Sequence, residues 1–268
     1  LHRWTAHQRR DAYWRRASVC EDYARIRCPI LSVGGWEDGY SNTVPMLLEN
    51  CRDIPVAGLI GPWGHAFPFN AQPGPQIGYL QYCLRWWDRW LKDASNGIDR
   101  EPAYRVWMND SFRPEPNAPM RTGNWIVEDS WPSSRIETRP LHLTRRGLAD
   151  GPDSDWRAEL RSPADTGITN LEWCSQGDGT ADLPEDQRSD NARSLCIDTT
   201  PLEAPLAILG APVVELTLSA DRPQAKLALR LCDVWPDGAS ARVTFMLFNL
   251  VHRDGHGDPE PLKPGRTY

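Results

Sequence analysis

From Cys28 to His65 the chain reads CPILSVGGWEDGYSNTVPMLLENCRDIPVAGLIGPWGH. A short apolar run, Ile30 to Val33, breaks at Gly34-Gly35 and gives way to Trp36-Glu37-Asp38-Gly39-Tyr40. A helix-like segment from Asn42 to Asn50 leads to a second apolar run, Val56 to Ile60, which breaks at Gly61-Pro62-Trp63-Gly64-His65. Strand, loop, helix, strand, loop is a βαβ unit. Short runs that are apolar throughout suit parallel strands buried on both faces. Each strand is followed by one polar titratable group, Asp38 and then His65, and in open parallel sheets functional groups sit just beyond the carboxyl ends of strands. An acid and then a histidine on successive loops is the order of the last two members of a Ser–acid–His triad. Asp38 has a plainer alternative role, capping the helix that follows it.

Outward from this stretch, residues 1–27 are basic and aromatic and read as helix and loop, their Trp and Arg side chains packed with guanidinium groups on rings. Past His65, the pattern predicts a helix over 76–94 whose Ile77, Leu80, Leu84, Trp87 and Leu91 form one apolar face, ended by Asn96-Gly97. From Tyr104 the texture changes to short strands between Pro, Gly and Asp. Period-two alternation marks 214–219, 227–231 and 243–247, and Trp235-Pro236-Asp237-Gly238 is a tight turn. Further strand candidates are Tyr104–Met108, Trp125–Glu128, Leu141–Thr144 and Ser194–Ile197, with long acidic loops over 150–192. The expected fold class is α/β followed by all-β: part of an α/β sheet in 1–100 and a jelly-roll-like β-sandwich in 101–268.

The net charge of −6 provides no basic surface for nucleic acid. The charge is uneven: residues 1–100 hold 12 Lys and Arg against 10 Asp and Glu, so the acidic excess lies in the remainder, as two domains of different character would have it. The seven Cys form no CxxC or CxxH pair, which points to a reducing compartment, the cytoplasm, without a disulfide framework. No run of 18 apolar residues exists to span a membrane. The chain starts at Leu1 and stops at Tyr268 as if cut at both ends, which leaves a signal peptide upstream open.

Five stretches carry a resemblance. DYARIRCPILSVGGWEDGY around Asp38, GLIGPWGH ending at His65, and LRWWDRWLK in the following helix resemble the cocaine-esterase-like and X-Pro dipeptidyl-peptidase family of α/β serine hydrolases. DTTPLEAPLAILGAPVVELTLSAD and LCDVWPDG resemble that family's C-terminal β-domain, which is jelly-roll-like and galactose-binding-like. The resemblance implies that Asp38 is the triad acid, His65 the triad base, and Tyr40 an aromatic side chain lining the acyl pocket. It further implies that 1–100 is the C-terminal part of the catalytic domain and 101–268 a truncated β-domain. No G-x-S-x-G occurs in the chain. In the family the nucleophile lies upstream, so this reads as the C-terminal portion of a hydrolase that is inactive alone.

The implied substrate is a small-molecule ester or peptide, with no cofactor and no metal, and the oligomeric state stays open. Glu37 reads as a solvated carboxylate. His2, His7 and His142 have no companions at metal-ligand spacing, and His252 and His256 lack a helix to align them. Asp178, Asp182, Glu185 and Asp186 read as a solvated loop without the regular calcium-loop spacing. The competing class is a non-catalytic carbohydrate- or protein-binding β-sandwich, which a cluster of exposed Trp on one face would favour.

Overall fold

The computed structural model describes residues 1–153, 156–170 and 183–268. Trp173, Cys174, Asp178 and Asp182 lie outside the described residues. In chain order the elements are α1 (His2–Ala6), α2 (Ala12–Arg15), β1 (Ile30–Gly35), α3 (Thr43–Asn50), β2 (Val56–Gly61), α4 (Tyr79–Lys92), β3 (Tyr104–Asn109) and β4 (Gly123–Glu128). β5 (His142–Thr144), β6 (Gly147–Ala149), α5 (Arg188–Asn191), β7 (Lys226–Val234) and β8 (Ser240–Asn249) follow. Contacts divide the chain into two compact units: 26–209 with 233–241, and 1–25 with 210–232 and 242–268.

The larger unit is built on a four-stranded sheet in the order β1-β2-β3-β4. β1 pairs with β2 in parallel from Ile30↔Val56 to Gly35↔Gly61. β2 pairs with β3 in parallel from Gly58 to Ile60, and β4 returns antiparallel against β3. β3 and β4 are the first strands beyond residue 100. They extend the sheet that β1 and β2 begin. β2 is apolar throughout because both its faces are covered. On one face Val44 and Leu48 of α3 pack with Ile60, Tyr104 and Val106. On the other, Ala57 packs with Trp86 of α4 and Ile98, and Leu59 with Trp63 and Ala71. Pro45 falls in the first turn of α3, where a missing N–H breaks no helical bond.

α4 turns a different face to the sheet from the one its spacing suggested. Cys83 and Trp86 are buried, and Tyr82 and Trp90 pack beside them. Leu80, Leu84, Trp87 and Leu91 are exposed, Leu91 at 78%. The helix ends at Asp93, which itself takes the left-handed conformation (φ 55°) three residues before Asn96.

Beyond Glu128 the described strands form two separate two-stranded sheets, β5-β6 and β7-β8. β7 and β8 fall where alternation put them, and the turn between them closes with Gly238 N–H donating to Trp235 O (2.8 Å). The runs 194–197 and 214–219 are not strands. In the second, Val213, Val214 and Leu216 are exposed, so its alternation covers no core, although Leu218 and Tyr268 exchange both backbone bonds. The 150–192 segment is not all solvated loop. In α5, Asp190 is buried and accepts from the Gly167 and Thr169 backbone N–H groups, while buried Gln187 donates to Thr169 O and Glu185 O.

In the smaller unit the aromatic N-terminus packs ring on ring. His7 stacks on Tyr13 at 4.3 Å and Tyr13 meets Trp14 edge-on. Arg10 and Arg15 pair with Glu21. The backbone of Arg10 donates to His256 O, tying the chain's start to its end.

Candidate active site

The parallel register that sets Gly35 opposite Gly61 puts the loops after β1 and β2 side by side at one end of the sheet. They are laced together: Trp36 N–H donates to Gly61 O (2.9 Å) and Glu37 N–H to Trp63 O (3.0 Å). Glycine at 35 makes this approach possible, because a Cβ there would lie 2.0 Å from the Trp63 carbonyl oxygen. Trp63 is fully buried, and its indole N–H donates to Pro75 O (2.8 Å), which fixes the chain two residues before His65.

The Asp38 side chain organises its own loop. Oδ1 accepts from the Tyr40 backbone N–H at 2.9 Å, and Asp38 N–H donates to Gly35 O. The residue preceding α3 is Asn42, which makes no side-chain cap, so Asp38 is not a helix cap. Its other oxygen, Oδ2, lies 3.0 Å from His65 Nδ1. The Asp38 side chain is 12% exposed and that of His65 42%, so the carboxylate sits beneath the imidazole. Tyr40 is exposed and its ring centroid is 5.5 Å from that of His65. The structure thus brings Asp38, Tyr40 and His65 into one cluster.

A carboxylate can only accept, so the contact selects the tautomer with the proton on Nδ1 and the lone pair on Nε2. A half-exposed imidazole held this way can take a proton at Nε2, with the carboxylate stabilising the cation that results.

Glu37 departs from the solvated carboxylate that its sequence suggested. It is half-buried, and its charge opposes the drop that burial imposes on the Arg121 guanidinium pKa. Arg121 is 3% exposed and was not flagged by any motif. His7 pairs with Asp11, and His252 and His256 meet Nδ1 to Nδ1 at 3.2 Å. Among the described residues, no three His, Cys, Asp or Glu side chains converge as metal ligands would, and no helix is long and apolar enough to cross a membrane. Asp186 is engaged with Arg188 and the Ser240 backbone N–H. A hollow of about 370 Å³ lined by Leu59, Ile77, Gly78, Tyr82, Arg105 and Trp125 shares no residue with the Asp38 cluster.

Residues 96–268 match the X-Pro dipeptidyl-peptidase C-terminal non-catalytic domain, and residues 1–67 match the X-Pro dipeptidyl-peptidase (S15 family). A Mycobacterium bovis protein that carries a serine-esterase name is 27% identical over 273 residues, covering 96% of this chain and 40% of that protein. Cocaine esterase of Rhodococcus sp. (strain MB1 Bresler) is 22% identical over 287 residues, covering 98% of this chain and 48% of the esterase. The crystal structure of an aminopeptidase from a marine sediment archaeon, Thaumarchaeota archaeon, superposes with a TM-score of 0.76 at 21% identity, over 100% of this chain and 48% of that one. The chain therefore spans less than half the length of these relatives.

Proposed function

The chain belongs to the family of X-Pro dipeptidyl-peptidases and cocaine-esterase-like hydrolases, and from that premise we propose that it is the C-terminal portion of a serine hydrolase to which it contributes the acid and the base of the triad. The observation that carries this reading is the contact of 3.0 Å between Asp38 Oδ2 and His65 Nδ1 at the carboxyl ends of two paired parallel strands. The nucleophilic serine comes from a segment that precedes these residues.

In the first half of the reaction the serine hydroxyl attacks the carbonyl carbon of an ester or amide. His65 Nε2 takes its proton, and the imidazolium returns that proton to the departing alcohol or amine as the C–O or C–N bond breaks. In the second half water attacks the acyl-enzyme, loses its proton to the same nitrogen, and the serine leaves with it. Asp38 stays ionised throughout and holds the ring and its charge. Tyr40, beside the imidazole, walls the space for the acyl group. Residues 101–268 act as the non-catalytic β-domain, jelly-roll-like and galactose-binding-like. The binding-module alternative is disfavoured: among the described residues from 101 onward, no Trp is exposed to form an aromatic platform.

The test is ester turnover in the full-length protein. Asp38→Asn keeps the shape but favours the wrong tautomer, and a loss of about 10⁴ in kcat is expected. His65→Ala should lose at least as much and the double variant little more, because triad members act as a unit. A His65→Ala enzyme within tenfold of wild type would remove both residues from the mechanism.

A further inference from the structure

In the smaller unit two imidazoles meet in a way that no step of the proposed reaction uses. His252 and His256 lie four positions apart, and turns bring them together where no α-helix does. Leu250–His252 form a short 3₁₀ turn, capped where Asn249 Oδ1 accepts from Val251 N–H at 3.3 Å. Gly255 N–H then donates to His252 O at 3.0 Å, and Gly255 takes a φ of 126°, which a side chain would oppose. His256 is thereby returned to His252. Solvent reaches both rings, since His252 is half-buried and His256 exposed.

The two Nδ1 atoms are 3.2 Å apart and the ring centroids 5.1 Å apart, with the planes tilted by 45°. Rings sharing one proton head-on at this nitrogen separation would hold their centroids about 5.5 Å apart. The observed centroids are closer, so the rings do not meet head-on. A divalent metal about 2.0–2.1 Å from both nitrogens sets them about 2.9 Å apart at a right angle and about 3.3 Å apart at the tetrahedral angle. The observed 3.2 Å falls between these values. With such a metal on the axes of both rings the centroids come to about 5.0 Å, against the 5.1 Å found.

The loop that carries the pair is held on several sides. Glu260 N–H donates to Val251 O at 2.9 Å, Arg253 Nη1 donates to Glu260 O at 2.7 Å, and His256 O accepts from Arg10 N–H at 2.9 Å. From His252 to Glu260 the chain has three carboxylates, Asp254, Asp258 and Glu260, against the one cation Arg253, a surplus that favours a dication. We propose that His252 and His256 chelate one divalent transition-metal ion through their Nδ1 atoms, of the class that imidazole suits: Cu²⁺, Ni²⁺ or Zn²⁺. Among the described residues no third His, Cys, Asp or Glu side chain completes a ligand set, so water fills the other positions and the site is an open, exchangeable one. The metal staples the loop to which the start of the chain is bonded. The site does not depend on the hydrolase reading.

The experiment titrates the full-length protein, stripped with a chelator, with Zn²⁺ alone by calorimetry and with Cu²⁺ alone by electron paramagnetic resonance. Wild type is expected to bind Zn²⁺, to melt at a temperature that rises with the Zn²⁺ concentration, and to show coupling of Cu²⁺ to two nitrogens. His252→Ala and His256→Ala should each weaken Zn²⁺ binding by about tenfold or more, because a chelate needs both arms. Each should also abolish the rise in melting temperature and remove the two-nitrogen coupling, and the double variant should lose little more than either. In His65→Ala the binding should persist. The proposal is overturned if wild type shows no metal-dependent rise, if the single variants keep it, if their losses add as those of two separate ligands would, or if His65→Ala alone removes it. Should an alanine variant fail to fold, His256→Gln decides: a lost rise supports the chelate and a retained one refutes it.

Discussion

Gly35 carries a steric demand that can be tested by one methyl group. Alanine there would drive a Cβ to within 2.0 Å of the Trp63 carbonyl oxygen, and backbone cannot rotate away as a side chain can. The β1 and β2 loops must then separate, straining the bonds from Trp36 to Gly61 and from Glu37 to Trp63. Gly35→Ala is expected to destabilise by about 1–3 kcal/mol, as overpacking does in a close-packed interior, and to lower activity in the same variant, measured by denaturant unfolding and ester turnover. Unchanged stability would mean that the loops do not approach this closely. Asp38 and His65 were legible in the sequence because each follows a short apolar run that ends in glycine, a pattern confined to a few neighbouring residues. Arg121 was not. Its enclosure, with the guanidinium over the Phe112 ring, is set by packing, and a lone arginine between two strands looks the same whether it is solvated or enclosed. Glu37 was misread for the same reason.

β4 ends in a clamp whose pH response follows from its geometry. The Glu128 carboxylate, 6% exposed, accepts from Arg135 Nη2 (2.5 Å) and Nε (3.0 Å) and from Ser133 Oγ (2.5 Å). The Arg135 hydrogen bonds, helped by Ser133, hold its pKa below the ordinary Glu value against the opposing effect of burial. A depressed carboxylate pKa stabilises the fold fully above the unfolded pKa, and that contribution is lost as pH falls through the folded one. Glu128→Gln should therefore melt below wild type at neutral pH, with the gap closing on acidification. A gap that is constant with pH would show that the charge does not matter. At this scale β1, α3 and β2 were legible from period and punctuation. The buried face of α4 was not, because its two adjacent stripes, Tyr82-Cys83-Trp86-Trp90 and Leu80-Leu84-Trp87-Leu91, are both apolar. Helical spacing cannot choose between them, whereas contact with Ala57 and Ile98 does. The 214–219 run fails in the opposite way, since alternation predicts a strand only where a core lies against one side.

Across the whole molecule, composition changes near residue 100, but the sheet continues through β3 and β4 and the contacts gather 1–25 with the last strands. Texture reports which residues face water; it does not report which strand pairs with which, and β2–β3 pairing joins segments on either side of the compositional break. The family resemblance reached further than the local patterns because its matching stretches lie on both sides of that break. The central claim is that these 268 residues supply the base for a serine held elsewhere in the same protein. Labelling with a serine-directed phosphonate, mapped by peptide mass spectrometry, tests it most directly. The expected result is stoichiometric labelling of one serine outside residues 1–268 in the full-length protein, loss of that labelling in His65→Ala, and none in residues 1–268 expressed alone. Stoichiometric labelling of a serine within 1–268, or labelling at the wild-type rate in His65→Ala, would contradict it.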